Sequence, residues 1–174
     1  MEQLRSKKGF ICDMDGVIYH GNRLLPGVKE FVDWLYREDK NFLFLTNSSG
    51  LSPKEHQQKL ARMGLDVDQS HFYTSALATA SFIQSQSPNG TAYVIGDHGL
   101  MNALYDAGIT INTVDPEFVI VGETENFGYE HIVRAINFVN RGAKLVGTNS
   151  DLVDPAEKGV IPSCGSLMAP IQAA

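Results

Sequence analysis

The chain has 174 residues, 43% of them apolar, and 14 Lys and Arg against 20 Asp and Glu give a net charge of −6. At roughly 150 residues per domain, that is enough for one domain or two small ones with a real core. The charges form no long block or basic stripe, no uncharged apolar run approaches the roughly 18 residues of a membrane span, and residues 1–10 carry charges with no apolar signal segment behind them; nucleic acid and membrane are therefore not expected partners. Cys12 and Cys164 lie far apart without a CxxC or a nearby His pair, so no disulfide framework or zinc site is encoded and the cytosol is the expected compartment.

Short β-rich runs alternate with amphipathic stretches, the pattern of an α/β protein with a parallel sheet. Strands are expected at 9–12, 41–46, 72–74, 91–95, 110–113, 118–121 and 144–148, several apolar enough to be covered on both faces. Between the first two, Val28, Phe31, Val32, Leu35 and Tyr36 mark a helix beginning after Pro26-Gly27. The next helix has Ser52 as its cap, Pro53 in its first turn, Glu55 completing a capping box and Gly64 past its end. Leu100 and Leu104 predict a helix stopped by Gly108, Ile132 to Val139 one stopped by Gly142, and residues 165–174 a last helix without a stop signal. The polar stretch 85–90 reads as a connection between two α/β sets. The first strand is apolar enough for a sheet centre, yet only two strands follow to flank it, both expected on one side, so one sheet edge should be open.

Asp13-Met14-Asp15-Gly16-Val17 ends the first strand, where α/β sheets bind ligands. Carboxylates at i and i+2 on extended backbone point the same way, which suits a divalent cation and phosphate chemistry, and Gly16 lets backbone approach the ligand. A plain strand-ending turn is the competing reading of the tetrapeptide. A calcium loop fails, because its ligand, glycine and glutamate positions hold Val17, Ile18 and Leu24. Leu45-Thr46-Asn47-Ser48-Ser49 ends the next strand and precedes a capped helix, offering hydroxyl, amide and backbone N–H groups to an anion. A loop with an ordinary cap is its bland alternative. Closing consecutive strands of one parallel sheet, the two elements should project side by side.

The run from Asp13 through Gly21, with Pro26-Gly27, Leu45 to Ser49, Tyr73-Thr74-Ser75-Ala76 and Val121-Gly122-Glu123-Thr124, resembles the haloacid dehalogenase phosphatases, specifically the NagD-like branch, over essentially the whole chain. The resemblance implies a Rossmann-like core with a parallel sheet (residues 1–84) and an inserted α/β cap (residues 85–174). It makes Asp13 the nucleophile of an aspartyl-phosphate and Asp15 the acid, then the base. Mg2+ would lie between them, on the Asp13 carboxylate and the Asp15 backbone carbonyl. Gly16, Thr46, Asn47 and Ser48 become the substrate-binding set, with Thr46 and Asn47 on the phosphoryl group. The loops Thr148-Asn149-Ser150-Asp151 and 162–166 become weaker candidates for substrate contacts.

The family's later lysine and acidic metal ligands, which follow the cap, are not in this sequence. The expectation is an incomplete metal site, poor activity for these residues alone, and a longer natural protein whose remainder covers the open sheet edge. The expected function is hydrolysis of a small phosphomonoester of nucleotide, sugar or glycerol phosphate type, with a small phosphorylated metabolite as partner and self-association through the cap. Phosphoryl transfer to a second substrate and a non-catalytic phosphate-ligand or partner-binding fragment are the rivals. The five histidines lack metal spacing and read as surface or loop residues; Cys12 reads as packing and Cys164 as an exposable loop thiol. Gly96-Asp97-His98-Gly99 lacks the glycines of a dinucleotide loop, and Phe31, Trp34 and Tyr36 read as core.

Overall fold

The computed structural model describes residues 2–156 and 158–174. The chain separates into two compact units, the first from the segments up to Thr46 and Pro53–Tyr73, the second from Asn47–Ser52 and Thr74–Ala174.

The first unit contains α1 (Glu2–Arg5), β1 (Gly9–Asp13), a hairpin of β2 (Tyr19–His20) and β3 (Arg23–Leu24), α2 (Val28–Arg37), β4 (Asn41–Thr46), α3 (Pro53–Arg62), and a 3-10 turn at Gln69–His71 leading into β5 (Phe72–Thr74). The sheet order is β1-β4-β5, with β1 parallel to β4 from Gly9 opposite Asn41 to Asp13 opposite Leu45. Helix α2 starts where predicted, after Gly27 in the left-handed conformation (φ 84°), and buries Val28, Val32 and Leu35, an i, i+4, i+7 stripe. That stripe packs with Phe42, Phe44, Leu60 and Phe72.

Strand β1 is an edge strand with both partners on one side, as its surroundings predicted. It is not covered on both faces, however: Phe10 and Cys12 pack on the core while Ile11, on the opposite face, is 70% exposed. An apolar run cannot reveal this, because alternation is visible in sequence only where the outward residues are polar.

The second unit contains α4 (Ser75–Gln86), β6 (Thr91–Ile95), α5 (His98–Asp106), β7 (Thr110–Ile111), β8 (Phe118–Val121), α6 (Tyr129–Asn140), β9 (Lys144–Gly147), a hairpin of β10 (Val153–Pro155) and β11 (Val160–Pro162), and α7 (Cys164–Gln172). Its four-stranded sheet is parallel in the order β7-β6-β8-β9. Strand β8 is buried throughout, and successive residues serve opposite faces. Phe118 and Ile120 pack with Ala76, Ala80 and Ile83 of α4 and Leu100 and Leu104 of α5. Val119 and Val121 pack with Ala135 and Phe138 of α6 and with Leu167 and Ile171 of α7.

Helix α4 and the two short hairpins were not anticipated. The connection expected at 85–90 begins where α4 ends, and packing assigns α4 to the second unit because its small-residue face lies on the second sheet. Among the described residues, no helix is long and apolar enough to cross a membrane.

Candidate active site

In the first unit, Asp13 is the last residue of β1, and Thr46, the last of β4, follows Leu45, its parallel partner; the two strand ends therefore lie side by side. Asp13 and Asp15 are both exposed, while Met14 between them is wholly buried in the core. The alternation expected of an i, i+2 carboxylate pair is thus present, with Met14 as its anchor. The Met14 N–H donates to Asp13 Oδ1 at 2.8 Å. Beyond Asp15 the chain turns back: the Ile18 N–H donates to Met14 O at 2.8 Å and the Gly16 N–H to Tyr19 O at 2.8 Å. Gly16 sits at φ +75°, with open space where a Cβ would stand, so this turn needs glycine for its backbone rather than for room. Thr46 is buried at the end of β4.

The same turn brings in a residue the sequence reading missed. The Tyr19 ring is 2% exposed, and its hydroxyl donates to Asp15 Oδ2 at 3.2 Å. Burial and the neighbouring Asp15 charge raise the Tyr19 pKa well above the ordinary phenol value, so it stays a donor. Lys59 of α3 places its Nζ 4.0 Å from the centre of the Tyr19 ring. Desolvation lowers the Lys59 pKa and the Asp15 charge opposes that shift. Three residues earlier on α3, His56 is 1% exposed and stacked against Phe72, and among the described residues neither ring nitrogen has a hydrogen-bond partner. Burial, reinforced by the Lys59 charge, pushes its pKa down from 6.5 to about 4. The reading of every histidine as surface or loop is therefore wrong for His56; its i, i+4 spacing to buried Leu60 was the available signal.

In the second unit, the Asn47–Ser52 loop is held by a polar network. The Asn47 amide donates to Asp151 Oδ2 at 2.7 Å, and Asn47 O accepts from the Asn149 amide at 2.9 Å and from Ser75 Oγ at 2.6 Å. Ser48 Oγ donates to Glu123 Oε2 at 2.8 Å, and the Glu123 N–H donates to Ser49 Oγ at 3.0 Å. Asn149 also donates to Glu123 Oε1 at 3.1 Å. Burial raises the Glu123 pKa, while these donors hold it down. The Thr148 to Asp151 loop thus braces Asn47 and Ser48. In the 162–166 segment, Ser163 and Cys164 are fully buried, with the Cys164 Sγ 3.1 Å from Val121 O; the expected exposable thiol is a core residue. A cleft of about 510 Å³ nearby is lined by Asp97, Glu123, Glu125 and Asp154. Four carboxylates make that cleft unfavourable for a phosphate anion.

The family model described as haloacid dehalogenase-like hydrolase matches residues 10–110, a span that includes both strand-end motifs. The chain belongs to the haloacid dehalogenase-like hydrolases. It is 40% identical over 165 residues to the dihydroxyacetone phosphatase of Corynebacterium glutamicum strain R, covering 95% of this chain and 60% of that protein. It is also 40% identical over 165 residues to the ribonucleotide monophosphatase NagD of Escherichia coli K12, covering 95% and 64%. The solved structure of NagD from that strain superposes with a TM-score of 0.88 at 39% identity, covering 95% of this chain and 65% of that one. This haloacid dehalogenase-like chain therefore spans 60–64% of the length of these two curated relatives.

Proposed function

We propose that this chain carries the nucleophile portion of a Mg2+-dependent phosphomonoesterase acting on small phosphorylated metabolites. The observation that supports it is the exposed Asp13 and Asp15 pair at the end of β1, in parallel register with the end of β4 at Thr46, within a family whose members here are phosphatases. The Asp13 carboxylate attacks phosphorus as the ester P–O bond breaks, and Asp15 gives its proton to the departing alcohol oxygen. Asp15 then takes a proton from the water that attacks the aspartyl-phosphate, releasing phosphate and restoring Asp13. Thr46 and Asn47 hold the phosphoryl group in this reading, and Gly16 and Ser48 complete the substrate-binding set.

The donor chemistry fits Mg2+: Asp13 and Asp15 offer exposed hard oxygens, and this ion takes one or two carboxylates, filling its shell with water and substrate phosphate. Among the described residues, no group of three or more His, Cys, Asp or Glu is placed to hold a metal; in this reading the Asp13 carboxylate and the Asp15 carbonyl would hold the ion from this chain. When bound, the ion neutralises phosphoryl charge. Residues 85–174 serve as the cap and as the face for self-association, in a cytosolic protein that needs neither nucleic acid nor membrane.

The test is phosphate release by the full-length protein with Mg2+ from a panel of phosphomonoesters in 18O-labelled water. Labelled phosphate is expected, and Asp13→Asn should abolish it because an amide does not attack phosphorus. Wild-type turnover by that variant, or unlabelled phosphate from the wild type, refutes the proposal.

A further inference from the structure

We infer that Tyr19 is a positioning residue for Asp15, its hydroxyl occupying Asp15 Oδ2 so that Oδ1 alone carries the transferable proton, with Lys59 over the Tyr19 ring holding that donor in place. The inference rests on the phosphatase reading of Asp13 and Asp15.

An exposed aspartate samples several rotamers, whereas proton transfer to a leaving oxygen needs one of them. Tyr19 supplies the selection. The Ile18 and Tyr19 N–H groups both donate to Met14 O, at 2.8 and 3.3 Å, and Tyr19 forms an isolated backbone bridge to Asp15. The turn therefore fixes the tyrosine backbone relative to Asp15 before any side chain is considered. The buried ring leaves its hydroxyl little freedom, and the partner it finds is the Asp15 carboxyl at 3.2 Å. A phenylalanine would satisfy the same packing; only the hydroxyl accounts for the contact. Among the described residues, Lys59 forms no ion pair and instead lies on the ring face at 4.0 Å. A cation there draws electron density from the phenol, making its O–H a stronger donor.

In the step this arrangement serves, the proton on Oδ1 moves to the alcohol oxygen while the bond from that oxygen to phosphorus breaks and the Asp13–phosphorus bond forms. Tyr19 keeps its own proton throughout. Alkyl esters need the transfer, whereas p-nitrophenyl phosphate releases a stable phenolate without it.

The test compares kcat/KM, which covers the steps through departure of the alcohol, for glycerol 3-phosphate and p-nitrophenyl phosphate in the full-length protein with Mg2+. Tyr19→Phe should lower the alkyl value about tenfold or more and leave the aryl value within about twofold. Lys59→Met, which keeps the stem against the ring, should show the same pattern at about threefold. Equal losses on both esters, or none on either, overturn the inference. A readout independent of turnover is the side-chain carboxyl 13C resonance of Asp15: Tyr19→Phe should shift or broaden it, and an unchanged resonance overturns the inference even if neither ester is hydrolysed. By contrast, turnover retained in Asp13→Asn refutes the phosphatase reading itself.

Discussion

Replacing His56 with leucine should remove the loss of stability that this buried imidazole causes in the first unit between about pH 6.5 and pH 4. Above pH 6.5 the imidazole is neutral in both the folded and unfolded chain. As pH falls below 6.5, the unfolded ring takes up a proton while the buried one, with its pKa near 4, does not, so stability declines until both forms are protonated below about pH 4. The gap of roughly 2.5 pH units, at about 1.4 kcal/mol per unit, amounts to about 3 kcal/mol lost across that window. The ring is almost wholly buried, so solvent does not screen this loss. His56→Leu keeps an apolar group of similar size against Phe72 and removes two ring nitrogens that have no partners among the described residues, so at pH 7.5 it should be as stable as the wild type or more so. Urea unfolding followed by the fluorescence of Trp34, the single tryptophan and a neighbour of the same core, measures both variants from pH 8 to pH 4. A wild-type curve no steeper than that of His56→Leu below pH 6.5 would refute the assignment of His56 as a buried neutral base.

Other outcomes follow from single positions. Asp15→Asn in the full-length protein should slow glycerol 3-phosphate turnover by roughly a hundredfold or more, read by steady-state kinetics, because an amide neither donates nor accepts the transferred proton. Gly99→Ala should destabilise the second unit by roughly 1–3 kcal/mol in thermal melts, since its Cβ would stand 2.6 Å from the Leu51 backbone carbon and the Gly99 N–H already bonds to Gly50 O at 3.1 Å. Cys164 should resist thiol reagents in the folded protein and react only on denaturation, as mass spectrometry of the labelled protein would record.

The sequence by itself determined the elements whose signals are local: the α2 stripe behind Gly27, the start of α3 at Pro53, the helix stops at Gly108 and Gly142, and the acidic and polar motifs ending β1 and β4. Each reflects periodicity or backbone preference within a few residues, which a short window contains. Only the tertiary structure decided that Ile11 faces outward, that His56 and Cys164 are interior, that Tyr19 bonds to Asp15, and that Asn47 and Ser48 are held by Asp151 and Glu123, which lie 104 and 75 residues further along the chain. Burial and long-range hydrogen bonding depend on which surfaces meet when distant segments close on one another, and no local pattern of residue types contains that information.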